Sequence, residues 1–385
     1  MRRTVFNKDH EAFRQTIREF IAAEVVPHYP EWEQRGMVSR DLYRKLGELG
    51  VFGIEVPEEY GGAGETSFKF NAVISEECAR AGVSFGGSNV HTALCLPYLL
   101  KYGTEEQLRR WMPAFVSGEM MTAIAMTEPG TGSDLAGMKT TAKLSEDGTH
   151  YVLNGAKTFI TGGVQADRML VCARTAPPTP EDRRSGISIL VVDVRSEGYE
   201  VGRTLDKLGL KTSDTAELSF TDVKVPVEDL LGEEGKGFEY LTHNLPQERL
   251  GIAVGAYAQA AAAVRFAQEY VTDRTVFGRS VASFQNTKFV LADCKSDVDA
   301  MQAVVDRALE AHDAGELTAA DAASAKLFTT ETAATVIDRC LQLHGGYGYM
   351  REYPIARLYA DTRVTRIYGG TSEVMRSIVA KSMGL

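Results

Sequence analysis

Ala125-Met126-Thr127-Glu128-Pro129-Gly130-Thr131-Gly132-Ser133-Asp134 is the stretch whose reading decides the fold. An apolar extended run ends at Thr127, and the turn after it offers glycine-flanked backbone N–H groups and short hydroxyls. Such a set can hold an anion or the polar edge of a planar ring. Around it lie alternating and β-branched runs at Met121–Thr127, Tyr151–Thr161, Met169–Arg174, Ile187–Val194 and Leu218–Val225, the pattern of strands with one buried face. Asp147-Gly148 and Asn154-Gly155 read as turns, since these pairs tolerate positive φ at low cost. Thr175–Arg184, with three prolines and several charges, reads as an exposed loop. The middle of the chain is therefore predicted to be a small antiparallel β domain, residues 121–228.

On both sides the period changes to that of helices. Phe13, Ile17, Phe20 and Ile21 recur at helical spacing, with Asp9 as the expected cap and Pro27 as the stop. Tyr60-Gly61-Gly62-Ala63-Gly64 lacks the spacing of a phosphate cradle and reads as a loop. After the β segment, Ala253, Ala256, Ala258 and Ala260–Ala263 predict a helix whose small-residue face admits a close neighbour. Val281–Gly315 and Thr318–His344 follow as long amphipathic segments, the second ended by Gly345-Gly346. The expected fold is mainly α with a central β domain: a helical domain over 1–120, the β domain, and a four-helix bundle over 229–385.

Composition narrows the class. A chain of 385 residues with 44% hydrophobic and 24% charged residues suits two or three folded domains. A net charge of −10 argues against a nucleic-acid or anionic-membrane surface, which needs clustered Lys and Arg. Five dispersed cysteines with no C-x-x-C pair point to free thiols in a reducing compartment. Met1-Arg2-Arg3 is basic, but Asp9, Glu11 and Arg14 break up the next stretch and leave no continuous apolar run, so no secretory signal is expected. No run approaches the roughly 20 apolar residues of a membrane span, and the expected location is cytoplasmic. There is no H-E-x-x-H, Cys/His cluster, P-loop or G-x-S-x-G elbow. Metal chemistry and nucleophilic hydrolysis start low on that account.

Taken alone, Phe159 is a strand residue facing a core, and Glu248 is an exposed helix carboxylate beside Arg249. The motifs together say more. The 125–134 stretch closely resembles the signature of the acyl-CoA dehydrogenase family, and Arg366-Ile367-Tyr368-Gly369-Gly370-Thr371-Ser372-Glu373 resembles the family's flavin-contacting Tyr-Glu-Gly-Thr turn. The resemblance implies a helical N-terminal domain, a small β-barrel, a C-terminal four-helix bundle and an FAD cofactor. It assigns Met126, Thr127, Gly132, Ser133, Phe159, Ile160 and Thr161 to the flavin, with Phe159 where many relatives have tryptophan. Arg274, Phe277, Phe284 and Gln285 match the R-x-x-F-G and downstream glutamine elements, where arginine meets the pyrophosphate. Its planar, permanently charged fork suits phosphate oxygens. Gln342, Leu343, Gly345 and Gly346 resemble the loop that reaches a neighbouring subunit's cofactor, with His344 between them more simply read as local packing. Thr371, Ser372 and Glu373 complete the set, and a homotetramer built as a dimer of dimers is implied.

The usual catalytic glutamate of the turn is absent, since glycine stands at Gly369. In the long-chain and isovaleryl branches of the family the base comes instead from a C-terminal-domain helix, in the context Glu-Arg-Leu, which Glu248-Arg249-Leu250 reproduces. The long-chain branch is the better likeness, through the run Gln342–Met350 and Tyr353-Pro354-Ile355-Ala356. The implied activity is oxidation of the Cα–Cβ bond of a long-chain acyl-CoA, with Glu248 as base and the Gly369 N–H toward the thioester oxygen. Electrons would pass to an electron-transferring flavoprotein. Ser133, Pro246, Gln247, Arg249 and Gly370 are expected near the substrate, and small residues at Gly86-Gly87-Ser88 either deepen the acyl pocket or form a helix junction. A branched-chain dehydrogenase, an acyl-CoA oxidase and a non-catalytic flavoprotein, including nucleic-acid-binding relatives, stay open. Oxygen uptake separates the oxidase, and turnover with a dye acceptor separates the last.

Overall fold

Asn7 opens the first helix. The structure, a computed structural model, describes residues 3–385, so Met1 and Arg2 of the basic start lie outside the described residues. The Asn7 side chain accepts from the N–H groups of Asp9 and His10, and the His10 ring accepts from Asn7 N–H, so three backbone donors are satisfied at the start of α1 (Lys8–Phe20). Asp9, the expected cap, sits in the first turn, where its charge still suits the helix dipole. A π-helical turn (Ile21–Val25) leads on to α2 (Tyr29–Arg35), α3 (Arg40–Glu48) and α4 (Lys69–Ala81). A second π turn (Val90–Cys95) precedes α5 (Leu96–Tyr102) and α6 (Glu105–Val116). Residues 61–64 form a loop, and a Cβ on Gly62 would lie 1.9 Å from the Val56 carbonyl. Gly86, at φ 62°, could take no Cβ without meeting Val38 and the Thr212 carbonyl, so this glycine serves a tight junction between segments.

The middle domain is one sheet of eight strands: β1 (Thr122–Ala125), β2 (Thr141–Leu144), β3 (His150–Thr161), β4 (Arg168–Arg174), β5 (Ile187–Asp193), β6 (Tyr199–Thr204), β7 (Thr215–Pro226) and β8 (Leu230–Leu231). The order is β6-β7-β3-β2-β4-β5-β8, with β1 beside β4. Pairing is antiparallel except along β1–β4 and at the Thr141–Arg174 contact of β2 with β4. Asp147-Gly148 makes the β2–β3 turn, with Gly148 at φ 69°. Asn154-Gly155 does not turn the chain. It lies inside β3 at a bulge, where the register against β7 slips between Leu153 and Gly155. Glycine is required there because a Cβ would fall 2.5 Å from Thr140 Oγ1.

The last part centres on α7 (Gly237–Asp273), a 37-residue helix. A two-stranded ribbon of β9 (Thr275–Val276) and β10 (Arg279–Ser280) follows, then α8 (Gln285–Asp313), α9 (Ala319–Leu343), α10 (Pro354–Thr362) and α11 (Ser372–Ser382). Ala253, Ala256, Ala260, Ala263 and Ala267 of α7 are fully buried in one core with Ala325, Ala333 and Val336 of α9, the close approach that the alanine face predicts. Contrary to the expectation from the sequence, α7 is long and apolar enough to cross a membrane by length and composition. More than half of that stretch is buried inside the fold.

Candidate active site

Pro246 interrupts the hydrogen-bond ladder of α7 from within, and two residues later Glu248 points inward. Glu248 is only 8% exposed, so the reading of a solvated surface carboxylate is wrong. Its Oε1 accepts a hydrogen bond from the Tyr98 hydroxyl of α5 at 3.0 Å. Burial pushes the Glu248 carboxyl up to about 7, against the opposing pull of the Tyr98 bond and the Arg249 charge. Arg249, 5% exposed, reaches the Gly369 carbonyl through Nε at a long 3.4 Å.

From α9, the buried Lys326 donates Nζ to the Tyr368 carbonyl at 2.7 Å and to the Gly370 carbonyl. Desolvation first, then the Arg249 charge, brings the Lys326 ammonium down to about 8. Three successive carbonyls of the 368–370 turn thus face two cations. Because a trans peptide sets N–H opposite C=O, Tyr368 O on Lys326 turns the Gly369 N–H the other way. Gly369 itself is at φ 62°, and a Cβ there would lie 2.4 Å from Ile252 Cδ1, one helical turn beyond Glu248. Tyr98, Lys326 and Ile252 were not singled out from the sequence. For Lys326 the available signal was a lone cation directly after the small-residue run Ala322-Ala323-Ser324-Ala325.

A second group gathers where β1 meets β3. Phe159 stands at φ 60° and is 68% exposed, turned out of the sheet rather than into a core. The slip between Lys157 and Ile160 makes room for that conformation, and Ile160 returns to the core. Thr158 N–H donates to Thr127 O at 3.0 Å, which ties the signature stretch to β3. Beneath it, buried Lys157 donates to Met126 O at 2.9 Å and to Glu128 Oε1 at 3.0 Å. Glu128 also accepts from the N–H groups of Lys139 at 2.7 Å and Thr140 at 2.9 Å. Burial raises the Glu128 carboxyl, but Lys157 and these bonds outweigh it and leave it below its ordinary value. Met126, Thr127 and Thr161 are half-buried, and Gly132 and Ser133 are exposed. The Thr131 hydroxyl is buried without a partner.

A third group lies at the far end of α7. Arg274 sits over the Tyr347 ring at 5.6 Å, and both line a cavity of about 560 Å³ with Tyr270, Leu343, Gly345 and Gly346. Neither glycine has an atom within 4 Å of where a Cβ would be, so the backbone is open to approach. Phe277, at the tip of the β9–β10 ribbon, has φ 50° and is 95% exposed. Phe284 packs on Phe277 and Arg279, while Gln285 and Gln342 are exposed. His344 stacks on Tyr270 and bonds to the Cys340 carbonyl at 2.8 Å, the packing role read from the sequence. Thr371 caps α11, Ser372 donates to Glu331 of α9, and Glu373 is exposed. Gln247 is turned to α8, its Oε1 3.2 Å from His312 Nε2. Among the described residues, no hydrogen bond, ion pair or ring contact joins the Arg274–Tyr347 group to Phe159 or Glu248.

These surfaces fit a large planar, phosphorylated ligand. An aromatic side chain is held outward in a backbone conformation that costs energy, beside a pinned strand end and an orphaned hydroxyl. The chain matches three family models along its length: acyl-CoA dehydrogenase N-terminal domain over 7–119, middle domain over 123–223 and C-terminal domain over 235–384. It is 43% identical over 384 residues to the long-chain specific acyl-CoA dehydrogenase, mitochondrial, of Sus scrofa, covering 99% of this chain and 88% of that protein. The crystal structure of an acyl-CoA dehydrogenase from Geobacillus kaustophilus superposes with a TM-score of 0.95 at 45% identity, covering 99% of both chains. An acyl-CoA dehydrogenase from Bacillus anthracis complexed with FAD gives 0.90 at 33% identity, over 98% of this chain and 67% of that one. The chain therefore belongs to the acyl-CoA dehydrogenase family. Its class is that of flavoprotein oxidoreductases acting on acyl-CoA, with FAD as the cofactor.

Proposed function

We propose that this enzyme oxidises the Cα–Cβ bond of long straight-chain acyl-CoA thioesters to trans-2-enoyl-CoA, with Glu248 as the base. The supporting observation is a buried carboxylate, held by the Tyr98 hydroxyl and pushed up by its burial, beside a turn that has no acid at Gly369. Bound FAD supplies the hydride acceptor for the β-carbon. The chain's own task is the α-proton, which is weakly acidic and needs both a desolvated base and a donor for the charge that develops on the thioester oxygen. Oε2 of Glu248, the oxygen free of Tyr98, takes the proton, and the Gly369 N–H, oriented by Lys326, donates to the thioester oxygen. Arg249 counters the base's charge and steadies the same turn.

Met126, Thr127, Gly132, Ser133, Phe159, Ile160 and Thr161 would hold the flavin ring, and Arg274, Phe277, Phe284, Gln285, Gln342, Leu343, Gly345 and Gly346 the pyrophosphate and adenine. The separation of these two groups within one chain supports sharing of sites between copies, in a homotetramer. Ser133, Pro246, Gln247 and Gly370 belong on the substrate side in this reading. Electrons leave to an electron-transferring flavoprotein, in the cytoplasm. The likeness to the porcine long-chain enzyme supports the chain-length assignment. A panel of acyl-CoAs from about C4 to about C20 with branched members and a dye acceptor tests it, catalysis being read as kcat/KM. Highest kcat/KM on C12–C16 thioesters supports the proposal, and faster turnover of isovaleryl-CoA contradicts it.

A further inference from the structure

Tyr98 is fully buried, and its hydroxyl donates to Glu248 Oε1 at 3.0 Å across a sequence separation of 150 residues. The segment that aims it is irregular. The π turn Val90–Cys95 runs directly into α5, the Leu96 N–H reaches back to the His91 carbonyl, and Pro97 has no N–H to give. One inserted residue turns the following helix face by about 100° relative to a regular continuation. Any buried tyrosine needs an acceptor, and a backbone carbonyl would satisfy that need. Here the acceptor is an ionisable oxygen.

We propose that Tyr98 is the positioning residue for proton abstraction, fixing the Glu248 carboxylate through Oε1 so that Oε2 alone meets the substrate's α-carbon. This inference rests on the reading of Glu248 as the base. In the step it serves, the α-C–H bond breaks, the proton forms an O–H bond at Oε2 and the electron pair stays on the substrate. The same hydrogen bond favours the carboxylate over the acid and restrains the rise that burial imposes on Glu248. Arg249 acts in the same direction from α7 itself. Cys95 and Cys172, which face this pair from the π turn and β4, are thiols pushed up by burial to about 12 and stay neutral. Burial and the Glu248 charge raise the Tyr98 phenol well above its ordinary value, so it remains a donor throughout.

The test is stopped-flow flavin reduction of the FAD-loaded enzyme by its best acyl-CoA, from about pH 5.5 to about pH 9.5. In Tyr98→Phe the acid limb of the rate profile should move up by about one pH unit. The loss of rate should then be about tenfold larger at the acid end than on the plateau. A side chain that only fills space would lower the rate evenly, and an unmoved limb overturns the proposal. If Tyr98→Phe fails to retain FAD, 3-fluorotyrosine placed at position 98 decides. Its more acidic phenol should shift the limb down, and no shift again overturns the assignment. Glu248→Gln separates the two readings. Near-parent reduction there removes the base itself, whereas slow reduction there with an unmoved Tyr98→Phe limb removes only Tyr98.

Discussion

Glu248 is stabilised as an acid by its burial and as a base by Tyr98 and Arg249, and burial dominates, since the carboxyl rises from 4.5 to about 7. A raised folded-state pKa means that the native protein holds more protons than the unfolded chain between those values. Stability therefore falls as pH rises through that window, by up to about 3 kcal/mol above pH 7. Glu248→Gln should raise Tm relative to the parent at pH 8.5 and leave it nearly unchanged at pH 4.5; an equal difference at both pH values would count against a buried, titrating Glu248. Gly369 carries a related prediction. A glutamate there meets Ile252 Cδ1 at 2.4 Å from its first carbon and must adopt φ 62°. In a Glu248→Gln background, Gly369→Glu should recover little activity alone and several-fold more with Ile252→Ala, read as flavin bleaching; equal recovery would show that Ile252 does not limit the space. The pairing of Glu-Arg-Leu with an empty acid position was legible in the sequence. Tyr98 and Lys326 were not, because each acts through a contact with a segment distant in sequence, Tyr98 with α7 and Lys326 with the 368–370 turn, that no local pattern encodes.

At the scale of elements, β3 shows how local chemistry misleads. Asn-Gly is a strong hairpin signal, yet here the strand runs through it as a bulge because Thr140 occupies the space beside Gly155. Gly155→Ala should destabilise the fold by about 1–3 kcal/mol through that clash and the φ of 149°. Chemical denaturation reads the change, and an unaltered midpoint would mean that β3 and β2 can separate freely there. The strong strands were legible by alternation. The sequence reading missed β2, β6 and β8, which are short or nearly all exposed and bury too little to leave a period. Phe159 belongs to the same lesson. Its outward turn follows from a register slip, not from its own preference.

Over the whole molecule, the order helix, sheet, helix bundle was readable because each period persists over a long segment. The site was only partly readable, because its groups lie on different faces. Phe277 is almost wholly exposed, and among the described residues no hydrogen bond or ring contact links the Arg274–Tyr347 cavity to Phe159, an arrangement that supports the proposed sharing of sites between copies. Light scattering of the yellow protein should give a mass near four chains with about one FAD per chain, as expected for sites completed between copies. A monomer with full FAD would contradict it. The most direct test of the account is anaerobic stopped-flow reduction of the FAD-loaded Glu248→Gln variant by a C12–C16 acyl-CoA. Flavin content should match the parent and bleaching should slow by roughly 10²–10⁴-fold, the contribution of a positioned general base. Bleaching at the parent's rate would place the base elsewhere and contradict the account.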